Sequence, residues 1–99
     1  MTTTAHSALH QISDELWEIA HANWKGFDHW AEEVDAGLLD APRVRELGEQ
    51  TNRLGGFAAM SAVCRRTFYD RINGPDDALA RAAVCDLNYR WHGIGDWQH

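Results

Sequence analysis

The sequence is poor in lysine, proline and cysteine, with one, two and two of these among its 99 residues. Two cysteines cannot form a disulfide framework, and Cys64 and Cys85 both lie in apolar helical stretches, so we expect two buried, reduced thiols. The longest nearly apolar run, residues 55–64, is far shorter than the roughly 20 residues of a membrane-spanning helix. The first four residues are polar and uncharged, unlike a secretory signal. These features predict a cytoplasmic protein without a membrane anchor.

The sequence also lacks the motifs of common enzymes. It contains no serine elbow, no glycine-rich phosphate loop and no paired cysteines with zinc spacing. Glu18 and His21 form a single Glu-x-x-His step, whereas di-iron bundles need two such steps and further glutamates. Arg65 and Arg66 follow Cys64, but adjacent helical residues diverge by about 100 degrees, which favours an inert buried thiol. We therefore expect neither an enzyme nor a bound metal or cofactor, and keep a metal-binding helical enzyme using Glu18 and His21 as an alternative.

The apolar residues recur at helical spacing, and no segment alternates with period two. The first helix is predicted to bury a stripe that contains Leu9, Ile12, Leu16, Ile19 and Ala20. A short second helix is expected over residues 30–36. A third should begin at Asp40 and Pro42, which suit an N-cap and a first turn.

The third helix carries an apolar stripe that changes register along its length. Its predicted inner positions are Val44, Leu47, Thr51, Leu54 and Ala58, followed by Phe57, Met60, Cys64, Phe68 and Ile72. Two adjacent glycines cost about 2 kcal/mol of helix propensity, so Gly55 and Gly56 predict a bend, a short break or a close approach of another helix.

A last helix is predicted from about Asp76 to His92, with Leu79, Ala83, Leu87 and Trp91 on its inner face. The chain is long enough for one modest core. We therefore predict an all-α protein, a small single-domain bundle of four to five helices with short connections, spanning residues 1–99.

Charge is distributed unevenly along the chain. Residues 1–41 carry a net charge of −7, residues 42–73 carry +3 and the remainder carries −2. The overall charge of −6 is the wrong sign for nucleic-acid binding, which needs clustered basic residues. The central arginines either pair with the acids of the first two helices or, less compatibly with the net charge, form a basic stripe. One lysine against eight arginines is also the composition of a GC-rich bacterial or phage genome.

Five tryptophans in 99 residues are unusually many. Aromatic anchors beside fixed charge are typical of protein recognition surfaces. The predicted partner-binding residues are six acids and five aromatics: Asp14, Glu15, Glu18, Glu32, Glu33, Asp35, Trp24, Trp30, Tyr89, Trp91 and Trp97. For Trp91 and Trp97 the sequence leaves an equal alternative, in which both side chains cap the bundle core.

These observations favour a non-enzymatic, acidic protein-binding module. Its partner would be a protein with a basic surface. Where that surface binds nucleic acid, the module would act as an inhibitor of the phage or mobile-element type, with a CRISPR effector as one example of a target. An alternative from another class is a structural homo-oligomer or accessory subunit, such as a homodimer, that packs through the small residues of positions 55–62.

Overall fold

The computed structural model describes residues 2–24, 39 and 41–97, with side chains from Ser7 onward. Three α-helices and one short 3-10 helix make up the regular structure of these residues: α1 (Thr2–Trp24), α2 (Pro42–Thr67), the 3-10 helix Tyr69–Arg71 and α3 (Asp77–Trp91). The all-α prediction is confirmed, because the described residues contain no strand. The predicted count of four to five helices is not matched within the described residues, which contain three α-helices. The short helix expected over residues 30–36 lies outside the described residues. The expected N-cap Asp40 is wrong, because the helix begins at Pro42 and its N-cap is therefore Ala41, with an extended backbone (φ −144°, ψ 137°).

Helix α1 buries the face that its apolar spacing predicts. Ile12, Leu16 and Ala20 are buried, and Leu9 and Ile19 pack against them while partly exposed. These positions recur every three or four residues, which places them on one side of a helix. The opposite side of α1 is therefore free to carry polar side chains.

Helix α2 is interrupted at the two glycines. Gly55 has φ −165° and ψ 19°, and Gly56 has φ 66° and ψ −154°. The positive φ of Gly56 is a conformation that glycine adopts without the steric cost a side chain would bring. The predicted break is confirmed, and it divides α2 into an N-terminal arm, residues 42–54, and a C-terminal arm, residues 57–67.

Contacts with α1 show that the two arms fold back on each other. Arg43 of the first arm bonds Glu15, with Nε to Oε2 at 2.6 Å, and Thr67 of the second arm bonds Ser13, with its hydroxyl at 2.6 Å from the Ser13 Oγ. In a straight helix Arg43 and Thr67 would lie about 36 Å apart, whereas Ser13 and Glu15 are two positions apart on α1. Toward the turn, Leu54 of the first arm lines a cavity with Ala8, and Ala62 of the second arm lines a cavity with Leu9. The first arm therefore runs antiparallel to α1, and the second runs parallel to it.

This reversal corrects the predicted inner stripe of α2. Val44, Leu47 and Thr51 of the first arm are buried, and so are Met60, Cys64 and Phe68 beyond the turn. The predicted inner positions between these two groups are not buried: Leu54 is 43% exposed, Phe57 is 49% exposed, and Ala58 is exposed. A helical register cannot continue through a turn in which two residues leave helical geometry, so the positions that flank it turn outward.

Helix α3 closes the bundle over the first arm of α2. Its predicted inner residues Leu79, Ala83, Leu87 and Trp91 are all buried. The Trp91 indole nitrogen donates a hydrogen bond to the carbonyl oxygen of Val44 at 2.9 Å. The indole lies against Gly48, where a methyl group would come within 2.5 Å of the Trp91 Nε1 atom. The close approach that small residues permit is therefore at Gly48, and not at the two glycines of the turn.

The two cysteines are both free, but only Cys64 is buried. Cys85 lies on α3 with its side chain exposed, so the prediction of a buried thiol is wrong at this position. Its neighbours Val84 and Asp86 take the inward positions of that turn. Burial raises the pKa of the Cys64 thiol to about 12, which opposes the thiolate form despite the two following arginines.

No helix of the described residues combines the length and the apolar character needed to cross a membrane.

Candidate functional site

The acidic surface of α1 is narrower than the sequence predicts. Asp14 and Glu18 are exposed and lie one helical turn apart, so their carboxylates project from the same side of α1. Neither side chain forms a hydrogen bond or an ion pair within the described part of the chain. The other three predicted acids, Glu32, Glu33 and Asp35, lie outside the described residues.

Glu15 is engaged inside the protein instead of facing a partner. Its two carboxylate oxygens accept hydrogen bonds from Arg43, with Nε at 2.6 Å and Nη2 at 3.1 Å. These hydrogen bonds hold the pKa of Glu15 below its usual value. Arg43 also approaches Glu46, whose Oε1 atom lies 3.4 Å from Nη1. The ion pair between Arg43 and Glu15 is one of the two arrangements predicted for the central arginines, in which they pair with acids of the first two helices.

Two further arginines, Arg71 and Arg45, also contact groups within the protein. The guanidinium of Arg71 lies over the ring of Trp17, 3.8 Å from its centroid, as in a cation–π contact. Arg45 donates from Nη1 to the carbonyl oxygens of Arg90 at 2.9 Å and His92 at 3.1 Å. A cation at these carbonyls complements the negative end of α3.

The predicted aromatic anchors separate into core and surface. Trp91 is fully buried, Trp97 is 6% exposed, and the two rings meet edge to face with centroids 5.3 Å apart. The alternative in which both cap the core is therefore the one observed, and neither is available as a surface anchor. Trp24 is partly buried and packs against the core, whereas Tyr89 is 70% exposed. Trp30 lies outside the described residues.

Two alternatives stay predictions: the metal-binding enzyme that uses Glu18 and His21, and the homo-oligomer that packs through residues 55–62. Within the described residues, no group of three or more His, Cys, Asp or Glu side chains is arranged to hold a metal ion. His21 lies beside the ring of Trp17, with centroids 6.1 Å apart. The small-residue seam is divided, because Ala59 is buried while Ala58 and Ala62 are exposed.

The structure brings together one surface that the sequence analysis does not predict. Beyond the turn of α2, exposed aromatic and basic side chains form a patch on the surface. It contains Phe57, Ala58, Ser61, Ala62, Arg65, Arg66, Tyr69 and Asp70; we call it the arginine–aromatic patch. The patch could not be predicted from the apolar spacing, because that spacing assigns Phe57 to the inner face of a continuous helix. The adjacent pair Arg65 and Arg66 was the available signal.

Comparison of the chain with protein-family models, curated proteins and solved structures finds no match.

Proposed function

We propose that this protein is a non-enzymatic protein-binding module whose acidic α1 surface contacts a basic surface of another protein. One observation carries the proposal. An arginine-rich segment packs against α1, yet its arginines contact Glu15 and Trp17, and no cation of the described residues pairs with Asp14 or Glu18. Two exposed, unneutralised carboxylates on one helix face are available to basic groups of a partner.

The overall charge supports the same proposal. A net charge of −6 creates a negative potential that attracts a basic surface from a distance. Charge complementarity of this kind raises the association rate and becomes weaker as salt screens it. If the partner surface binds nucleic acid, the module competes with that ligand and acts as an inhibitor.

The test compares charge reversal on α1 with equal charge reversal elsewhere. The full-length protein is used as bait in lysate of the source organism, eluted with a salt gradient, beside the Asp14→Lys/Glu18→Lys variant. Glu49→Lys/Asp96→Lys is the matched control, because both residues are exposed and the net charge changes equally. Circular dichroism checks that all three proteins are folded.

We expect one partner that the wild type and the control retain and that the α1 variant loses. Equal loss in both variants would show that only total charge matters, and equal retention would show that α1 is not the contact. Either result would refute the proposal. Charge reversal at Glu32, Glu33 and Asp35 tests the predicted extension of the same surface.

A further inference from the structure

The arginine–aromatic patch contains a groove between the C-terminal arm of α2 and Trp97. One part of the groove has a volume of about 360 Å³ and is lined by Arg65, Tyr69 and Trp97, among others. A second part continues from it over Phe57, Ala62 and Arg66, and the two share Arg65. Together they form one open, elongated depression, which has the size of a few amino-acid side chains.

The groove is rich in hydrogen-bond donors that have no partner. The side chains of Arg65 and Arg66 are exposed and form no ion pair or hydrogen bond within the residues that the structure describes. This distinguishes them from Arg43, Arg45 and Arg71, each of which contacts a defined group. The two guanidinium groups are therefore available to an external anion.

The side chain of Trp97 forms part of the groove wall. The residue is 6% exposed and forms part of the groove, and its indole nitrogen has no acceptor among the described residues. Buried N–H groups are almost always hydrogen-bonded, because an unsatisfied one costs about 1–3 kcal/mol. Because this nitrogen is itself buried, the indole ring of Trp97 and not its N–H group lines the groove.

Part of the groove wall is aromatic, which specifies the ligand further. Phe57 is 49% exposed and its ring lies 5.5 Å from that of Trp97. Tyr69 is 51% exposed. Aromatic side chains beside arginine are enriched at the energetic centres of protein interfaces, where apolar side chains of the partner bury against them.

From this arrangement we infer that the groove binds a peptide segment of a partner protein in which an aspartate or glutamate adjoins an apolar side chain. The carboxylate pairs with Arg65 and Arg66, and the apolar side chain covers Phe57. Asp70 and the net charge of −6 oppose any anion, but they oppose a nucleic acid, which carries a charge at every phosphate, more strongly than a peptide with a single carboxylate. The groove and the acidic surface of α1 share no residue, although Arg66 and Asp70 also line a cavity with His10, one helical turn before Asp14.

The experiment is a selection from a random twelve-residue peptide library displayed on phage, with the full-length protein as target. The Arg65→Glu/Arg66→Glu variant serves for counter-selection. We expect enriched peptides to combine an acidic residue with a neighbouring apolar one. In fluorescence anisotropy, a selected peptide should bind the double variant at least about tenfold more weakly, the equivalent of about 1.4 kcal/mol.

Asp70→Asn is the sign control, because removal of a like charge should strengthen binding about twofold to fivefold. Asp14→Lys/Glu18→Lys should leave the affinity within about a factor of two, which separates this groove from the proposed acidic surface. In a spectrum of protein labelled with ¹⁵N-tryptophan, the indole signal of Trp97 should shift on titration with the peptide. A Trp97→Phe sample assigns that signal.

Four results would overturn the inference. They are a library without enrichment over the double variant, enriched peptides without acidic residues, a labelled 20-nucleotide DNA that binds more tightly than any selected peptide, and a dimer in sedimentation that Arg65→Glu/Arg66→Glu dissociates. Unchanged circular dichroism of the double variant keeps a loss of binding from being a loss of fold.

Discussion

Gly48→Ala tests whether the packing of Trp91 determines the arrangement of α2 and α3. Helix propensity alone predicts stabilisation, because alanine is favoured over glycine inside a helix by about 1 kcal/mol. The structure predicts the opposite sign. A methyl group at Gly48 would lie 2.5 Å from the Trp91 Nε1 atom, 2.7 Å from its Cδ1 atom and 2.9 Å from the Cδ1 atom of Ile94.

The magnitude follows from what must move. Overpacking of a core costs about 1–3 kcal/mol. Displacement of the indole also breaks its hydrogen bond to Val44 and leaves buried polar groups unpaired, at a further cost of about 1–3 kcal/mol. After the gain in propensity, we expect a net loss of about 2–4 kcal/mol in the free energy of unfolding. For a chain of this length that corresponds to a fall in Tm of about 10–25 °C.

The assay is urea unfolding followed by far-ultraviolet circular dichroism, which does not depend on tryptophan emission. Ala58→Gly is the matched control, since it makes the reverse exchange at an exposed position of the same helix and should cost only about 1 kcal/mol. In the Trp91→Phe background, Gly48→Ala should cost less, because the clashing nitrogen is gone. Equal or greater stability of Gly48→Ala in the wild-type background would refute the reasoning.

Three further predictions concern the turn, the ion pair and the thiols. Gly56→Ala should lower stability by about 1–3 kcal/mol through backbone strain alone, since no atom lies within 4 Å of the added methyl; D-alanine at the same site, introduced by chemical synthesis, should be tolerated, and urea unfolding compares the two. Glu15→Gln should cause a small loss of Tm at pH 7. Because folding lowers the pKa of Glu15 from its ordinary 4.5, the ion pair with Arg43 stabilises the protein above that value, and the loss should vanish as the pH falls through the lowered pKa; a constant difference down to pH 2 would contradict it. An aromatic disulfide reagent should modify Cys85 in the native protein and Cys64 only after unfolding, and two rapidly reacting thiols would contradict the burial of Cys64.

The faces of α1 and α3 could be predicted from the sequence because local periodicity determines which side of a helix is apolar. Ile12, Leu16 and Ala20 on one helix and Leu79 and Leu87 on the other lie where that period places them. The period does not tell, however, in which direction the chain continues after a break in a helix. Gly55 and Gly56 predict a break, but the angle of the break depends on dihedrals that glycine samples widely.

A local sequence pattern also could not predict which residues the charged side chains contact. Glu15 has the same sequence context as Asp14 and Glu18, and only the antiparallel course of the first arm brings Arg43 to it. The position of Trp91 in the core likewise depends on Gly48, a residue 43 positions earlier, where the lack of a side chain provides room for the indole. Contacts between residues distant in sequence therefore determine which of the predicted binding residues face outward and which belong to the core.

The turn of α2 links the fold to the arginine–aromatic patch. A continuous helix would keep Leu54, Phe57 and Ala58 near the apolar stripe that begins at Val44. The reversal instead brings both ends of α2 to the same part of α1 and leaves the residues beside the turn at the surface. Phe57 is thus half exposed because of the backbone at Gly56, and its ring lies beside that of Trp97. A variant that straightens α2 should therefore lose the groove together with the bundle, whereas Arg65→Glu/Arg66→Glu removes the charges of the groove and leaves the turn intact. That difference lets binding at the patch be measured separately from folding.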